Sequence, residues 1–298
     1  MNRVVQWTER GIEYEPDQRH AEIIVRQMGL TEESRPLSTP GKKEARTKEE
    51  LLTPDMARMY RGLVARGNYL GQDRSDIQYA VKELSRGMSA PVEADWDNLK
   101  RFARYLVDKT RIVTLYEYQD EPTRITVYSD SDFAGCDRTR KSTSGGLVMF
   151  GKCPIRTWSS TQSVIALSSG EAEYYGLVKA ASQGLGMRNL LKDLGWEKAS
   201  HVQLMTDASA AMGIASRRGT GKIRHIEVSQ LWLQDKVMRN EVELVKIRTD
   251  QNPADALTKH VDWDAIKKHM GYVAMRYESG RHPDMPIALA QEDWLEEE

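Results

Sequence analysis

The chain has 298 residues, 40% of them apolar, and its 43 Lys and Arg against 44 Asp and Glu give a net charge of −1. This composition is typical of a globular chain of one large or two ordinary domains and excludes a disordered one. No apolar run approaches the roughly 20 residues of a membrane span, and the polar start lacks the apolar segment of a signal peptide. Two cysteines without CxxC spacing suit a reducing compartment, so we expect an intracellular protein, cytoplasmic or nuclear.

The first 120 residues predict a hairpin and a set of helices. VVQWTERGIEYE predicts a short hairpin with its turn near Arg10 and Gly11, and a helix over residues 20–28 follows. The proline- and charge-rich residues 34–50 predict a linker, which closes a first region, 1–50. Apolar residues at helical spacing then predict three amphipathic helices, separated by GQDRSD and MSAPVEAD, in a helical unit over residues 51–120.

From Arg124 the pattern changes to strands and helices in the order β-β-β-α-β-α-α-β-α. RITVYSD, GGLVMFG and IRTWSS predict three consecutive antiparallel strands, and a long helix starting at SSGEAEYYG ends at Gly195. HVQLMTD and ELVKIRT predict two more strands, with helices over ASAAMGIAS and IEVSQLWLQDKVMRN between them. A last helix opens at NPADALTK. We therefore predict an α/β domain over residues 121–262 and an irregular acidic tail over 263–298.

Four acidic residues lie at the ends of predicted elements in this domain: Asp130, Glu173, Asp207 and Asp255. Each aspartate has an ordinary explanation, since aspartates close strands with Asx turns and favour the first turn of helices. Converging from two strands and two helices, the four carboxylates would instead form an all-oxygen site, which Mg²⁺ and Mn²⁺ prefer. Two such ions about 4 Å apart activate water and stabilise the leaving oxygen of a phosphodiester.

The long helix offers two glutamates, and the residues favour the second. Ser168 and Glu171 match a capping box, which gives Glu171 a structural role. Glu173 leads a row with Leu177 and Ala181 that we predict to face the sheet, where a carboxylate is costly unless it is paired or binds a metal. Gly176 would let this helix approach the sheet closely. Glu171 remains the alternative.

Basic residues cluster in two loops of the domain. Most such clusters are solvated surface, but beside four carboxylates they also suit the phosphates of a nucleic acid. His225 is interpreted as either a nucleic-acid-facing or a structural histidine. The predicted nucleic-acid-binding residues are Arg138, Arg140, Lys141, Lys222, Arg224 and His225.

At these residues the sequence resembles the RNase H domain of copia-type retrotransposon Pol polyproteins. Over residues 124–260 the resemblance is carried by YSDSDFAG, STSGGLVMFG, ALSSGEAEY, TDASAAMGI, GKIRHIEVSQLWLQDKV and NPADALTK. Residues 61–106 resemble the segment that joins reverse transcriptase to RNase H in these elements. Residues 7–40 look like the last part of the polymerase.

The resemblance implies an RNase H-like, five-stranded mixed sheet with flanking helices, preceded by a small helical thumb- or connection-like unit. It implies a ribonuclease H in which Asp130, Glu173, Asp207 and Asp255 hold two Mg²⁺ ions, with Mn²⁺ as a substitute, and cut the RNA strand of an RNA–DNA hybrid. The family motif places Asp130 first and makes Asp132 a turn or supporting residue. Family members have a small residue three positions after the glutamate, and Gly176 stands there for Glu173.

Two departures from the family pattern bear on activity. The loop IRTDQNPAD lacks the histidine that cellular RNases H place before the last aspartate, so we expect modest turnover, with Asp250 as a weak substitute. The paired-aspartate motif of the polymerase does not occur in this sequence, so we expect a Pol fragment without DNA polymerisation. The alternatives are a catalytically inactive nucleic-acid-binding remnant and a helical unit, residues 1–120, that packs on a polymerase palm or a full Pol polyprotein.

Overall fold

The computed structural model describes residues 2–43, 48–199, 201–221 and 225–287, which fall into two compact units. The first unit is built from two stretches of chain, residues 1–115 and 275–298, and the second from residues 116–274. Within the described ranges, no helix has the length and apolar character needed to cross a bilayer.

The first unit begins with the predicted hairpin and helices. β1 (Val4–Trp7) pairs antiparallel with β2 (Gly11–Glu15). The helices are α1 (Arg19–Gln27), α2 (Pro54–Leu70), α3 (Gln78–Ser85) and α4 (Glu93–Leu106). The start of α2 is fixed by local sequence: the Thr53 side chain accepts a hydrogen bond from the Met56 N–H, and Pro54 occupies the first helical position. A strand that the sequence analysis did not predict, β3 (Arg111–Glu117), follows.

The second unit is organised around one five-stranded sheet. Its strands are β4 (Arg124–Ser131), β5 (Thr143–Phe150), β6 (Cys153–Thr161), β7 (His201–Thr206) and β8 (Val242–Lys246). Its helices are α5 (Ser169–Asp193), α6 (Ser209–Ala215), α7 (Trp232–Met238) and α8 (Trp263–Tyr272). The sheet order is β6-β5-β4-β7-β8, with β4, β5 and β6 antiparallel and β7 and β8 parallel to β4. This confirms the predicted α/β fold with a mixed five-stranded sheet and flanking helices.

Helix α5 covers the centre of this sheet. Leu177 and Ala181 are fully buried in the same core as Val127 and Val202, as their spacing predicted. The leucine and the two valines contribute about 1.5–3 kcal/mol each. A Cβ at Gly176 would lie only 2.5 Å from the Ser131 Oγ, so glycine is what lets the start of α5 lie against the end of β4.

The last described strand, β9 (Met275–Glu278), belongs to the first unit and pairs antiparallel with β3, giving the sheet order β1-β2-β3-β9. The predicted irregular tail is therefore wrong over residues 263–278, which α8 and β9 largely fill, and the predicted helical unit, 51–120, ends in a strand. The β-branched run RIVTLYE signals β3, whereas β9 is short and its partner lies far away in sequence. The acidic end QEDWLEEE lies outside the described residues.

A buried ion pair supports the first unit. Arg74 is 0% exposed, and its Nη2 lies 2.7 Å from the Asp76 Oδ2. The Tyr105 hydroxyl donates to Asp76 at 2.9 Å, and the Tyr277 hydroxyl of β9 lies 2.6 Å from that of Tyr105. Burial acts to raise the pKa of Asp76, but the guanidinium and the two hydroxyls hold it below its ordinary value. The network thus joins β9 to the helices through one ionised carboxylate.

Replacement of Asp76 is expected to destabilise the first unit strongly. In Asp76→Asn the Arg74 guanidinium stays buried without its counter-charge, which costs about 3–5 kcal/mol. Urea denaturation of the full chain measures the change. The control is Asp97→Asn, since Asp97 pairs with Lys48 at 2.9 Å with both side chains more than half exposed. There the loss is expected to stay below about 1 kcal/mol. Equal effects would contradict a structural role for the buried pair.

Candidate functional site

Two of the predicted acidic residues end neighbouring parallel strands. Asp130 is the penultimate residue of β4, and Asp207 directly follows β7. Tyr128 of β4 is paired with Met205 of β7, so two residues further along both strands bring Asp130 beside Asp207. The carboxyl ends of parallel strands meet at one edge of a sheet, where ligands of α/β proteins bind.

Asp255 reaches the same edge through a short turn after β8. The turn Pro253–Leu257 is a 3₁₀ helix, which corrects the predicted α-helix at NPADALTK. Asn252 caps it, because its side chain accepts from the Ala254 N–H at 3.1 Å. The same amide donates to the Ser129 carbonyl at 3.0 Å, one residue before Asp130. The cap therefore ties the Asp255 turn directly to β4.

Gly145 makes room for this turn. It is the pairing partner of Asp130 on β5. A Cβ there would lie 2.7 Å from the Thr258 Cγ2 and 3.0 Å from the Ala254 carbonyl oxygen. The turn therefore lies directly on this strand, at a position where glycine leaves room for it.

The two glutamates at the start of α5 have different contacts. Ser168 caps the helix, as predicted, by accepting from the Glu171 N–H at 3.2 Å. Glu171 is 1% exposed, and its oxygens contact the Leu167 N–H at 3.0 Å, the Tyr175 hydroxyl at 3.0 Å and the His225 Nε2 at 2.8 Å. The reach to Leu167 rather than Ser168 is the one departure from an ideal capping box. Both oxygens of Glu171 are therefore engaged in holding the helix start.

Glu173 has an oxygen that the fold leaves open. Its Oε2 is buried and has no hydrogen-bond partner. Burial, and then the charges of Asp130 and Asp207, raise the pKa of Glu173 to about 9, although a backbone hydrogen bond from Ser131 acts in the opposite direction. An ionised carboxylate at this position needs a positive partner.

Asp130 is also a buried carboxylate with a raised pKa. It is 7% exposed, and burial raises its pKa to about 6. The Thr258 hydroxyl, which donates to the Asp130 Oδ2, opposes this rise, and the charges of Asp255 and Asp207 add to it. The charges of Asp207 and Asp255 thus act on Asp130, and those of Asp130 and Asp207 act on Glu173; these four residues are here called the carboxylate site.

Sequence reasoning missed two residues that contact the carboxylate site. Thr258 donates to Asp130, and the Lys259 ammonium forms an ion pair with Asp255. The sequence feature that could have identified them is their position at the end of NPADALTK, directly after the Asp255 turn. Lys259 follows Asp255 by four residues along the chain.

The donor atoms of the carboxylate site suit a divalent cation, but the described positions of its side chains do not. Its donors are all oxygen and anionic, as Mg²⁺ and Mn²⁺ require, and the Glu173 Oε2 is buried without a hydrogen-bond partner. In the part of the chain that the structure describes, however, no three Asp, Glu, His or Cys side chains are placed to hold one ion. Asp130 and Asp255 bond to Thr258 and Lys259 instead.

The predicted basic loop starts at the same sheet edge. Arg138 and Arg140 are exposed in the segment between β4 and β5, and Lys141 is half-buried there. The base of this loop is held by Asp132, whose N–H donates to the Thr143 carbonyl at 3.1 Å and whose carboxylate accepts from the Thr143 N–H. Asp132 is thus a turn residue, as the sequence indicated.

The second predicted basic cluster is described only in part. His225 is half-exposed and pairs with Glu171, so one of its ring nitrogens has a structural partner. Lys222 and Arg224 lie outside the described residues.

Comparison with known proteins gives relatives among retrotransposon polyproteins. No protein-family model matches the chain. It is 31% identical over 188 residues to the retrovirus-related Pol polyprotein from transposon TNT 1-94 of Nicotiana tabacum, and 31% over 209 residues to that from transposon RE1 of Arabidopsis thaliana. These matches cover 63% and 70% of this chain but only 14% of each relative. An uncharacterized mitochondrial protein of Arabidopsis thaliana is 34% identical over 166 residues, 55% of this chain and 68% of that protein.

Solved structures are more distant. LC11-RNase H1, isolated from compost, is 18% identical and matches 50% of this chain and 99% of its own, with a TM-score of 0.33. RNase H1 from Halobacterium salinarum is 14% identical, matches 45% of this chain and 94% of its own, with a TM-score of 0.31. The fold assignment therefore depends on the strand order and not on these similarities.

The raised pKa values predict that the chain, in EDTA, loses stability as the pH rises. The pKa of Glu173 rises from an ordinary 4.5 to about 9 on folding, and that of Asp130 from 3.8 to about 6. Between the unfolded and folded pKa values the folded chain holds a proton that the unfolded chain has lost, so this stability is full below the unfolded values and disappears toward pH 9. Glu173→Gln should melt above wild type at pH 8.5 and show a smaller drop between pH 5.5 and 8.5.

Thermal melts monitored by circular dichroism test this expectation. The control is Glu197→Gln, which changes an exposed glutamate of the same unit and should follow wild type at both pH values. A Glu173→Gln chain that also follows wild type would show that Glu173 is not a buried carboxylate under strain.

Proposed function

Because this chain belongs to the family of copia-type retrotransposon Pol polyproteins, we propose that its second unit is a ribonuclease H that hydrolyses the RNA strand of RNA–DNA hybrids with divalent cations, Mg²⁺ or Mn²⁺. The chain spans 14% of the Pol relatives' length, so their activities enter only as a proposal. The observation that supports it is the carboxylate site, where Asp130 and Asp207 end neighbouring strands at one sheet edge, and where burial and nearby acidic charges raise the pKa of Asp130 and Glu173.

The protein's contribution to the reaction is to place negative oxygens at fixed positions. Asp130, Glu173, Asp207 and Asp255 are the residues that would hold the cations. When bound, a pair of divalent cations supplies activation of a water and stabilisation of the leaving oxygen of a phosphodiester. Asn252 and Gly145 position the Asp255 turn against β4. Gly176 lets Glu173 approach the end of the same strand. Close backbone packing thus contributes to the geometry of the site.

Substrate contacts are assigned to the loop beside the carboxylate site. Arg138 and Arg140 are exposed at the sheet edge that carries Asp130. Their guanidinium groups suit phosphate oxygens, which carry no sequence information. The hybrid would be recognised by its shape and its 2′-hydroxyl groups, with little sequence preference.

Asp207→Asn is expected to abolish cleavage of a labelled RNA–DNA hybrid in Mg²⁺. The Asp207 side chain is half-exposed at this sheet edge. Its replacement by the asparagine amide should therefore leave the fold intact while removing a cation ligand. Loss of at least about 100-fold in rate is expected, since even residues that only support a metal ligand cost 10–100-fold.

The control is Asp264→Asn, whose carboxylate is 86% exposed and pairs with Lys267 on α8. It should cut at the wild-type rate. If wild type and Asp207→Asn cut equally slowly, the catalytic assignment is wrong. Hybrid binding without cleavage at any Mg²⁺ or Mn²⁺ concentration would instead favour an inactive nucleic-acid-binding remnant, an alternative that agrees with the absence of a formed cation site among the described residues.

Arg138→Gln combined with Arg140→Gln is expected to weaken hybrid binding and flatten its salt dependence. Each lost phosphate contact lowers the slope of log K against log salt by about 0.7 to 0.9. Fluorescence anisotropy at several NaCl concentrations, in the Asp207→Asn background to prevent cleavage, measures both quantities.

A matched control comes from the opposite end of the sheet. Arg239 is 67% exposed and precedes β8, so it lies away from the carboxylate site. Arg239→Gln should leave the slope unchanged. If it flattens the slope as much as the pair in the loop, binding is a property of general charge and not of this edge.

A further inference from the structure

Three arginines of the first unit lie next to one another near the end of α4. Arg101 and Arg104 belong to this helix, and Arg35 belongs to the segment 35–39, which packs against it. The Leu37 N–H donates to the Arg104 carbonyl at 3.2 Å, and the Arg101 Nη2 donates to the Thr39 hydroxyl at 2.8 Å. These hydrogen bonds fix the segment on the helix. Arg35, Arg101 and Arg104 are here called the arginine cluster.

The described contacts of the arginine cluster are with neutral oxygens. Both Nε and Nη2 of Arg104 donate to the Arg35 carbonyl, at 3.1 and 3.0 Å. The Nε of Arg101 is buried and has no hydrogen-bond partner. Among the described residues, no carboxylate forms an ion pair with any of the three arginines. A buried charged donor without an acceptor costs free energy, so the fold leaves this cluster uncompensated.

Other arginines of the same unit do have acidic partners. Arg111 of β3 pairs with Glu15 at 2.7 Å, and its hydrogen bond to that carboxylate raises its pKa above the ordinary value. For Arg101 the direction is opposite, because burial and then the charge of Arg104 lower its pKa. The uncompensated charge is therefore a local property of the arginine cluster and not of the whole unit.

The chemistry of the arginine cluster suits a partner that carries phosphates. A guanidinium stays charged and binds phosphate oxygens through two parallel N–H···O bonds. Lys100 is exposed and lies one helical turn from Arg104 on α4, so it adds a fourth positive charge beside the cluster. Several cations close together match the repeated phosphates of a nucleic-acid strand, which releases its counter-ions when it is bound.

We propose that the arginine cluster and Lys100 form a nucleic-acid contact surface on the first unit, which binds backbone phosphates of the hybrid. The proposed function places its substrate contacts on the second unit alone, so this surface is an addition to it. It requires neither a bound cation nor cleavage. Since phosphates carry no sequence information, the surface would raise the affinity for the hybrid without adding sequence preference.

Salt-dependent binding by the full chain tests this surface. Fluorescence anisotropy of a labelled RNA–DNA hybrid is measured in EDTA at several NaCl concentrations, for wild type and for Arg101→Gln combined with Arg104→Gln. The double variant should bind more weakly and lower the slope of log K against log salt by about 0.7 to 0.9 for each lost contact. Arg101→Lys combined with Arg104→Lys should retain most of the slope but lose affinity, because an ammonium keeps the charge without the paired hydrogen bonds.

Lys100→Gln provides the measurement if the double glutamine variant does not fold. Its side chain is exposed, so the change should leave the fold intact and lower the slope by about 0.7 to 0.9. The control is Arg58→Gln, since Arg58 lies on α2, is 82% exposed and pairs with Asp55 at 3.3 Å. It should leave the slope unchanged. A wild-type slope in the folded double variant, or in Lys100→Gln where the double variant does not fold, overturns the inference, as does an equal fall in Arg58→Gln.

Hybrid cleavage in Mg²⁺ by the same proteins separates this inference from the proposed function. Wild type that cuts, beside a double variant with an unchanged slope, removes the surface and leaves the nuclease. A lowered slope in a chain that cuts nothing removes the nuclease and leaves the surface.

Discussion

The candidate site of the second unit depends on one electrostatic constraint, the burial of the Asp130 and Glu173 carboxylates close to other acidic residues at one end of a sheet. Burial deprives Asp130 and Glu173 of the water that would screen them, so their pKa values rise to about 6 and about 9. Two local contacts partly compensate these negative charges: the Thr258 hydroxyl donates to Asp130, and the Lys259 ammonium forms an ion pair with Asp255. A nuclease built on this edge would use the same unbalanced charge to attract cations.

Holding such charges together requires a rigid frame, and close backbone packing provides it. The Asp255 turn lies against the backbone of β5 at Gly145, and its cap, Asn252, bonds to the Ser129 carbonyl of β4. On the other side, Gly176 brings α5 onto the end of β4. The aliphatic core beneath α5 stabilises this frame far from the charges, so apolar burial offsets the cost of concentrating the acidic residues.

The sequence predicted the sheet and most helices because their signals are local. Alternation in RITVYSD and the capping of α5 by Ser168 depend on residues at most four positions apart. It failed where the decisive contact is distant. β9 is a strand through its pairing with β3, and the NPADALTK segment forms a 3₁₀ turn that lies directly against Gly145. The buried Arg74 and Asp76 pair, although two residues apart, depends on Tyr277 from the far end of the described chain.

For the site itself, the sequence determined which residues carry the charge and in which order they follow the strands. It also assigned Glu171 to the helix cap, since a capping box is a pattern of four consecutive residues. Only the tertiary structure decided that both Glu171 oxygens are engaged by Leu167, Tyr175 and His225, while the Glu173 Oε2 is left open. It alone placed the Thr258 hydroxyl on Asp130, 128 residues away. Caps and periodicity are set by neighbours along the chain, whereas the partner of a buried carboxylate is set by which distant elements pack against it.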